Sequence, residues 1–158
     1  MLVLFCLVCL SSAVQGAAAA CADGFIRHED SCYRLFHSAF TWPEASSFCR
    51  SYNTHLVYLD TESEFGFVKA RAAEAGGNGF WTGATDALTE NEWIWNETGE
   101  RLTLTADWAP GEPDHSLGRD CLGLWSKYDY KLSAWDCRTL LKPICETDFE
   151  DQGETVIG

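Results

Sequence analysis

Glu112 and Asp114 stand on either side of Pro113, and Arg119 and Asp120 follow within a few residues. Ionised carboxylates only accept hydrogen bonds, so this pair offers the oxygens a hard cation takes; in its plainest reading Glu112-Pro113-Asp114 is a turn. Cysteine is the second reactive residue type. Cys6 and Cys9 have C-x-x-C spacing but lie inside an apolar N-terminal run, where neither metal nor redox chemistry is expected. The remaining six, Cys21, Cys32, Cys49, Cys121, Cys137 and Cys145, are even in number and fit three disulfides, with fifteen connectivities that spacing alone leaves open. Their irregular gaps, with no His at ligand spacing, argue against zinc. His28, His37, His55 and His115 are scattered, and neither His-Glu-x-x-His nor Gly-x-Ser-x-Gly occurs. The chain therefore reads as a binding protein and not as an enzyme. His115, beside Asp114, could touch a ligand. Asn96-Glu97-Thr98 is a glycosylation sequon in a surface turn.

The 158 residues include 24 acidic side chains against 11 Lys and Arg, a net charge of −13. That length suits one domain. Such acidity argues against nucleic acid as a partner, because binding a polyanion depends on Lys and Arg displacing counterions. It leaves a divalent cation open. A hydrophobic fraction of 46% with seven Trp is too rich for a disordered chain. Residues 1–20 carry no charge, and Leu2 to Leu10 forms an apolar run of nine followed by small residues through Ala20. This reads as a signal peptide cleaved after Gly16 or Ala20, since a membrane span needs about 20 apolar residues. A secreted chain without a membrane span, carrying its cysteines into an oxidising compartment, is the expectation.

Two helices can be placed from their start signals. Thr41-Trp42-Pro43-Glu44 is a capping box with Pro in the first turn, followed by Ala45, Phe48, Cys49 and Tyr52 at helical spacing. Thr61-Glu62-Ser63-Glu64 repeats the device, and Phe65, Val68 and Ala72 form a stripe that ends before Gly76-Gly77. Strand-like runs are Cys32 to Phe36, His55 to Leu59, Gly79 to Gly83, Trp93 to Trp95, Cys121 to Trp125 and Pro143 to Glu146. Residues 96–120 carry Gly99, Pro110, Gly111, Pro113 and Gly118 without periodicity. A loop of that length in a compact domain is expected to be functional. Residues 148–158 form an acidic tail without a basic residue, expected to be disordered.

Taken together, several motifs are highly specific. They are Cys21 and Cys32 around Gly24-Phe25, Cys49 on a helix, Phe80-Trp81-Thr82-Gly83, Trp93-Ile94-Trp95, Glu112-Pro113-Asp114, and Cys121, Cys137 and Ile144-Cys145-Glu146. Over residues 21–147 the chain resembles the C-type lectin-like domain in its long form, and within it the small secreted invertebrate lectins of the perlucin-like kind. The resemblance implies an α+β fold, with two helices packed on antiparallel sheets and a long binding loop. It also implies bridges Cys21–Cys32, Cys49–Cys145 and Cys121–Cys137, and a cis bond before Pro113.

Family members of this kind bind glycans through calcium. The resemblance assigns Glu112 and Asp114 to ion and sugar, and Asp86, Glu90 and Asp120 to an auxiliary calcium position. Two departures stand out. Where the family has an acid before Asp120-Cys121 this chain has Arg119, and where it has Trp-Asn-Asp this chain has Leu132-Ser133-Ala134. A shifted loop would bring Asp136 in as a substitute. Arg119 is expected either to fold its guanidinium onto Glu112 or Asp114, or to face solvent while calcium enters. With two carboxylates at the tripeptide, the choice between mannose-type and galactose-type sugars is unreadable. Trp108, Trp125 and Trp135 could face a sugar ring, though at least two fit a core better. The leading function is recognition of glycans on microbial or self surfaces. The rivals are a calcium-independent module for protein or lipid, and an acidic protein of a mineral surface.

Overall fold

The computed structural model describes residues 20–103, 107–114 and 118–149. Residues 1–19 of the expected signal peptide and His115 lie outside these, as does the acidic tail from residue 150 onward.

Chain order is β1 (Ile26–His28), β2 (Ser31–Leu35), α1 (Trp42–Arg50), β3 (His55–Leu56), α2 (Glu62–Ala75), β4 (Gly79–Thr85), β5 (Ile94–Trp95), β6 (Cys121–Trp125), a 3-10 turn at Ser126–Tyr128, β7 (Lys131–Trp135) and β8 (Lys142–Asp148). The α+β architecture implied by the motifs is thus present. Both helices start where their caps predict. The Thr41 N–H and hydroxyl donate to the Glu44 carboxylate at 3.0 and 2.7 Å, and the Glu64 N–H donates to the Thr61 hydroxyl at 3.1 Å. The predicted stripe of α2, Phe65, Val68 and Ala72, is buried in the core. Tyr52, expected on the apolar face of α1, falls beyond the helix end and is about half exposed.

The strands run in the order β1-β2-β8-β4-β6-β7, with β3 added on β8 and β5 on β4. β2 and β8 pair antiparallel from Ser31↔Asp148 to Leu35↔Ile144, which brings the two ends of the domain side by side. Strand β8 thereby extends through Asp148, one residue into the stretch expected as tail. Beside it β4 runs parallel, every residue buried. Gly83 is required there by close approach: a Cβ on it would lie 2.8 Å from the Leu56 carbonyl oxygen. Trp81, fully buried, donates its indole N–H to the Phe40 carbonyl at 2.8 Å, and Trp42 donates to the Thr82 carbonyl at the same distance. These two bonds lash the α1 approach to β4. Two strands carried no usable sequence signal, β1 and β7.

All three bridges implied by the resemblance are formed: Cys21–Cys32, Cys49–Cys145 and Cys121–Cys137. Cys49 and Cys145 are fully buried, joining α1 to the centre of β8. In the chain-entropy model the Cys49–Cys145 closure, spanning 96 residues, contributes about 4.7 kcal/mol, against about 3 kcal/mol for each of the others. Replacing each pair by Ala in turn should show the largest loss of stability at Cys49–Cys145. Urea unfolding of the three double variants checks the order, and an equal loss at Cys21–Cys32 would contradict it.

A buried acidic group lies between α2 and β8. The Tyr33 hydroxyl donates to Glu64 Oε1 at 2.5 Å and the Asp60 N–H to Glu64 Oε2 at 3.0 Å. Glu146 Oε2 accepts the Tyr58 N–H at 3.1 Å. Burial pushes the Glu64 carboxyl up to about 8, against the opposing hydrogen bond from Tyr33. Burial also pushes Glu146 up to about 7, against hydrogen bonds from Ser31 and Tyr58. A carboxyl whose folded pKa is raised holds its proton longer in the folded chain. The folded state is then favoured at low pH and loses that advantage as pH rises. From these two groups the melting temperature should fall between pH 4.5, the ordinary carboxyl value, and about 8. Glu146→Gln should flatten the fall when both proteins are melted across that range in chelator; an unchanged slope in the variant would refute the assignment.

Candidate functional site

The long loop is fastened to β7 before it reaches the proline. The Ala109 N–H donates to the Leu132 carbonyl and the Leu132 N–H to the Asp107 carbonyl, each at 2.9 Å. Trp108 packs edge to face on buried Trp93, 5.5 Å between ring centres. Gly111, at φ +83°, turns the chain, and the Glu112 N–H closes the turn on the Ala109 carbonyl at 2.9 Å. The Glu112–Pro113 bond is cis, as the resemblance implies.

From this turn the Glu112 side chain points back to the body of the domain, only 6% exposed. Its Oε2 accepts the Ala134 N–H at 3.0 Å and the Asp114 N–H at 2.9 Å. Its Oε1 accepts from Arg119 Nη2 at 3.1 Å. The same guanidinium donates through Nη1 to Asp114 Oδ2 at 2.5 Å and through Nη2 to the Ala134 carbonyl oxygen. A buried carboxylate is tolerated when paired and hydrogen-bonded, and Glu112 is both. Asp114 is 43% exposed and Arg119 28% exposed, so the clamp opens to solvent on the Asp114 side. Of the two outcomes the sequence left for Arg119, the guanidinium folded onto the carboxylates is the one observed.

The other predicted site residues are dispersed. Asp136 does not move inward: β7 keeps its register from Lys131 through Trp135 against β6. Its carboxylate instead closes a turn on Arg138, accepting from Nε at 3.0 Å and Nη2 at 2.6 Å. The Arg138 hydrogen bonds hold that carboxyl down at about 2. Asp86 is buried, and its Oδ2 accepts the Asn91 N–H at 3.0 Å, capping the turn that carries exposed Glu90. Asp120 meets Asp86 through its backbone, its carbonyl accepting the Asp86 N–H at 3.2 Å.

Among the described residues no group of three or more His, Cys, Asp or Glu is arranged to hold a metal ion. At the loop the donor set does not fit calcium: the cationic group between Glu112 and Asp114 is Arg119, and Ala134 brings only backbone atoms. Trp125 and Trp135 pack edge to face on each other, 5.2 Å apart. A cleft of about 190 Å³ lies beside Pro113, walled by Trp93, Trp108 and Leu102 and bordered by the Arg101–Glu92 ion pair. Asn96 is exposed just after β5.

Sequence reasoning missed the part Ala134 plays, because it acts through its N–H and C=O, which every residue type except proline carries alike. It also missed that Ser133 is fully buried with its hydroxyl unpartnered among the described residues.

Residues 38–147 match the Lectin C-type domain. The chain is 30% identical over 131 residues to perlucin of Haliotis laevigata, covering 81% of this chain and 83% of that protein. It is 35% identical over 107 residues to C-type lectin domain family 10 member A of Homo sapiens, covering 64% of this chain but only 32% of that longer protein. Among solved structures, the carbohydrate-recognition domain of the mouse scavenger receptor C-type lectin superposes with a TM-score of 0.75 at 28% identity, covering 83% of this chain and 100% of that one.

The Ser133 hydroxyl yields a direct expectation. A buried hydroxyl without a partner costs about 1–3 kcal/mol of desolvation, so Ser133→Ala should be neutral or stabilising. A loss above about 1 kcal/mol in chemical unfolding would show that the hydroxyl has a partner.

Proposed function

This chain belongs to the C-type lectin domain family, and on that premise we propose that it is a secreted, carbohydrate-binding lectin whose ligand face is the loop at Glu112 and Asp114. The observation that carries the reading is the division of labour between these two carboxylates. Glu112 is spent on structure, fastened to β7 through Ala134, and it holds Asp114 out at the domain surface beside Arg119. A half-exposed acceptor next to a half-buried cationic donor is what hydroxyl-rich ligands engage, since each hydroxyl both donates and accepts. The fold alone would not fix a ligand class; membership in a carbohydrate-binding family together with this pair of side chains supports glycans.

Support for secretion comes from the uncharged, apolar residues 1–20 and from three disulfides, which form and persist in oxidising compartments. No helix among the described residues is long and apolar enough to cross a membrane. The exposed sequon at Asn96 fits a glycosylated, extracellular chain.

The test is a glycan array probed with the purified domain, alongside immobilised lipids, proteins and mineral powders. Wild type should retain a defined set of glycans, and Asp114→Ala should weaken that retention about tenfold or more, as loss of a charge-assisted hydrogen bond implies. Retention on mineral or lipid with an empty array would replace this reading by one of its rivals.

A further inference from the structure

The lectin reading supplies the loop with a ligand but leaves open what neutralises the two carboxylates and what donates to the sugar. We infer that the Arg119 guanidinium does both, so that this chain binds neutral sugars directly and without calcium. This inference rests on the lectin reading.

Glu112 and Asp114 are pulled toward one point by the turn at Pro113, and two carboxylates so placed repel unless a cation lies between them. Here the cation is covalently part of the chain. One planar guanidinium reaches Glu112 Oε1, Asp114 Oδ2 and the Ala134 carbonyl, which ties the loop tripeptide, the segment before β6 and strand β7 together. A diffusible ion entering the same place would have to displace a permanent charge that makes three hydrogen bonds, and would gain no side-chain oxygen from Ala134. Lysine could not substitute, because a single ammonium lacks the planar fork that meets two carboxylates at once.

A guanidinium carries five N–H groups, of which the described residues engage three and leave two. Arg119 is 28% exposed and the adjoining Asp114 43% exposed, which puts donors and an acceptor side by side at the surface. That restores the mixture of donors and acceptors that a pair of carboxylates lacks. Two adjacent sugar hydroxyls match it, one accepting from the guanidinium and one donating to Asp114. The three charged side chains sum to one negative charge, on a chain of net charge −13. Sulfated or carboxylated glycans are therefore repelled, and neutral glycans with vicinal hydroxyls are the ligand class.

The experiment uses a Glu146→Gln background, which removes one carboxylate from the other buried acidic cluster, and reads calcium binding there from the same background in all three proteins. Three proteins are compared there: Arg119 retained, Arg119→Gln and Arg119→Lys. With Arg119 in place, calorimetry should give no calcium heat at the loop, and melting and loop proteolysis should be the same in millimolar calcium and in chelator. Neutral glycans should be retained equally in both buffers, and sulfated ones should not. Both substitutions should lower the melting temperature and speed cleavage of the loop, and should weaken glycan retention about tenfold or more. Glycan binding that disappears in chelator would overturn the inference while leaving the lectin reading intact. Substituted proteins that melt and resist protease like the parent would overturn it as well. If no glycan binds in either buffer, the lectin reading and the direct-binding half of the inference fail together, and the melting and proteolysis comparison then decides the clamp alone.

Discussion

Strand β8 is the constraint on which the remaining structure hangs. Its antiparallel edge with β2 closes the two ends of the domain, its parallel contact with β4 carries the fully buried centre of the sheet, and β3 adds to it. Cys145 lies in the middle of this strand and bonds to Cys49 on α1, both at zero exposure. One residue thus belongs at once to a sheet ladder, a helix contact and a covalent loop that encloses most of the domain. The indole bonds of Trp42 and Trp81 tie α1 and the segment just before it to β4 without covalent help. Everything distal, from the long loop to β7, is positioned relative to this frame by β6, which pairs with β4 on one side and β7 on the other.

Three buried carboxylates illustrate two opposite solutions to one electrostatic problem. Glu64 and Glu146 have no cation among their described partners, so burial raises their pKa and they tend toward neutrality. Glu112, as deeply covered, is met by a guanidinium and two backbone N–H groups. The first solution makes the α2 region sensitive to acid and base. The second makes the loop a self-contained ionic unit whose charges are provided by the chain.

What could be read from the residues follows from how local each signal is. The caps at Thr41 and Thr61 and the stripe of Phe65, Val68 and Ala72 act within a few residues of one another, and the structure reproduces them. Strand β6 has the limits its apolar run indicates. β1 is three largely exposed residues that exist as a strand because β2 lies beside them, so it leaves no periodic trace. In β7, Leu132, Ser133 and Ala134 are buried consecutively on both faces, which erases the alternation that marks a half-buried strand. At the site, the motifs that carry the family resemblance picked out Glu112, Asp114 and Arg119 by residue type, and the direction of the guanidinium was settled by the turn at Gly111 and the position of Ala134. Asp136 pairs with Arg138 where a loop shift toward Glu112 was expected, because β7 continues in register through Trp135.

Because β8 is the last strand among the described residues, the order in which the chain leaves the ribosome conflicts with the order its contacts require. When α1, α2 and β4 have emerged, the groove that Ile144 and Cys145 fill is still empty, and the Cys49 thiol has no native partner. Parallel pairing of β4 with β8 cannot substitute for local structure either, since their partners are separated by about sixty residues of chain. The nascent domain therefore presents its apolar sheet face and an unpaired thiol until β8 has emerged, the state in which exposed strands aggregate and wrong disulfides form. The covalent loop of such a domain closes only once its last bridging residue, Cys145, is available, so every truncation before it leaves Cys49 without its native partner.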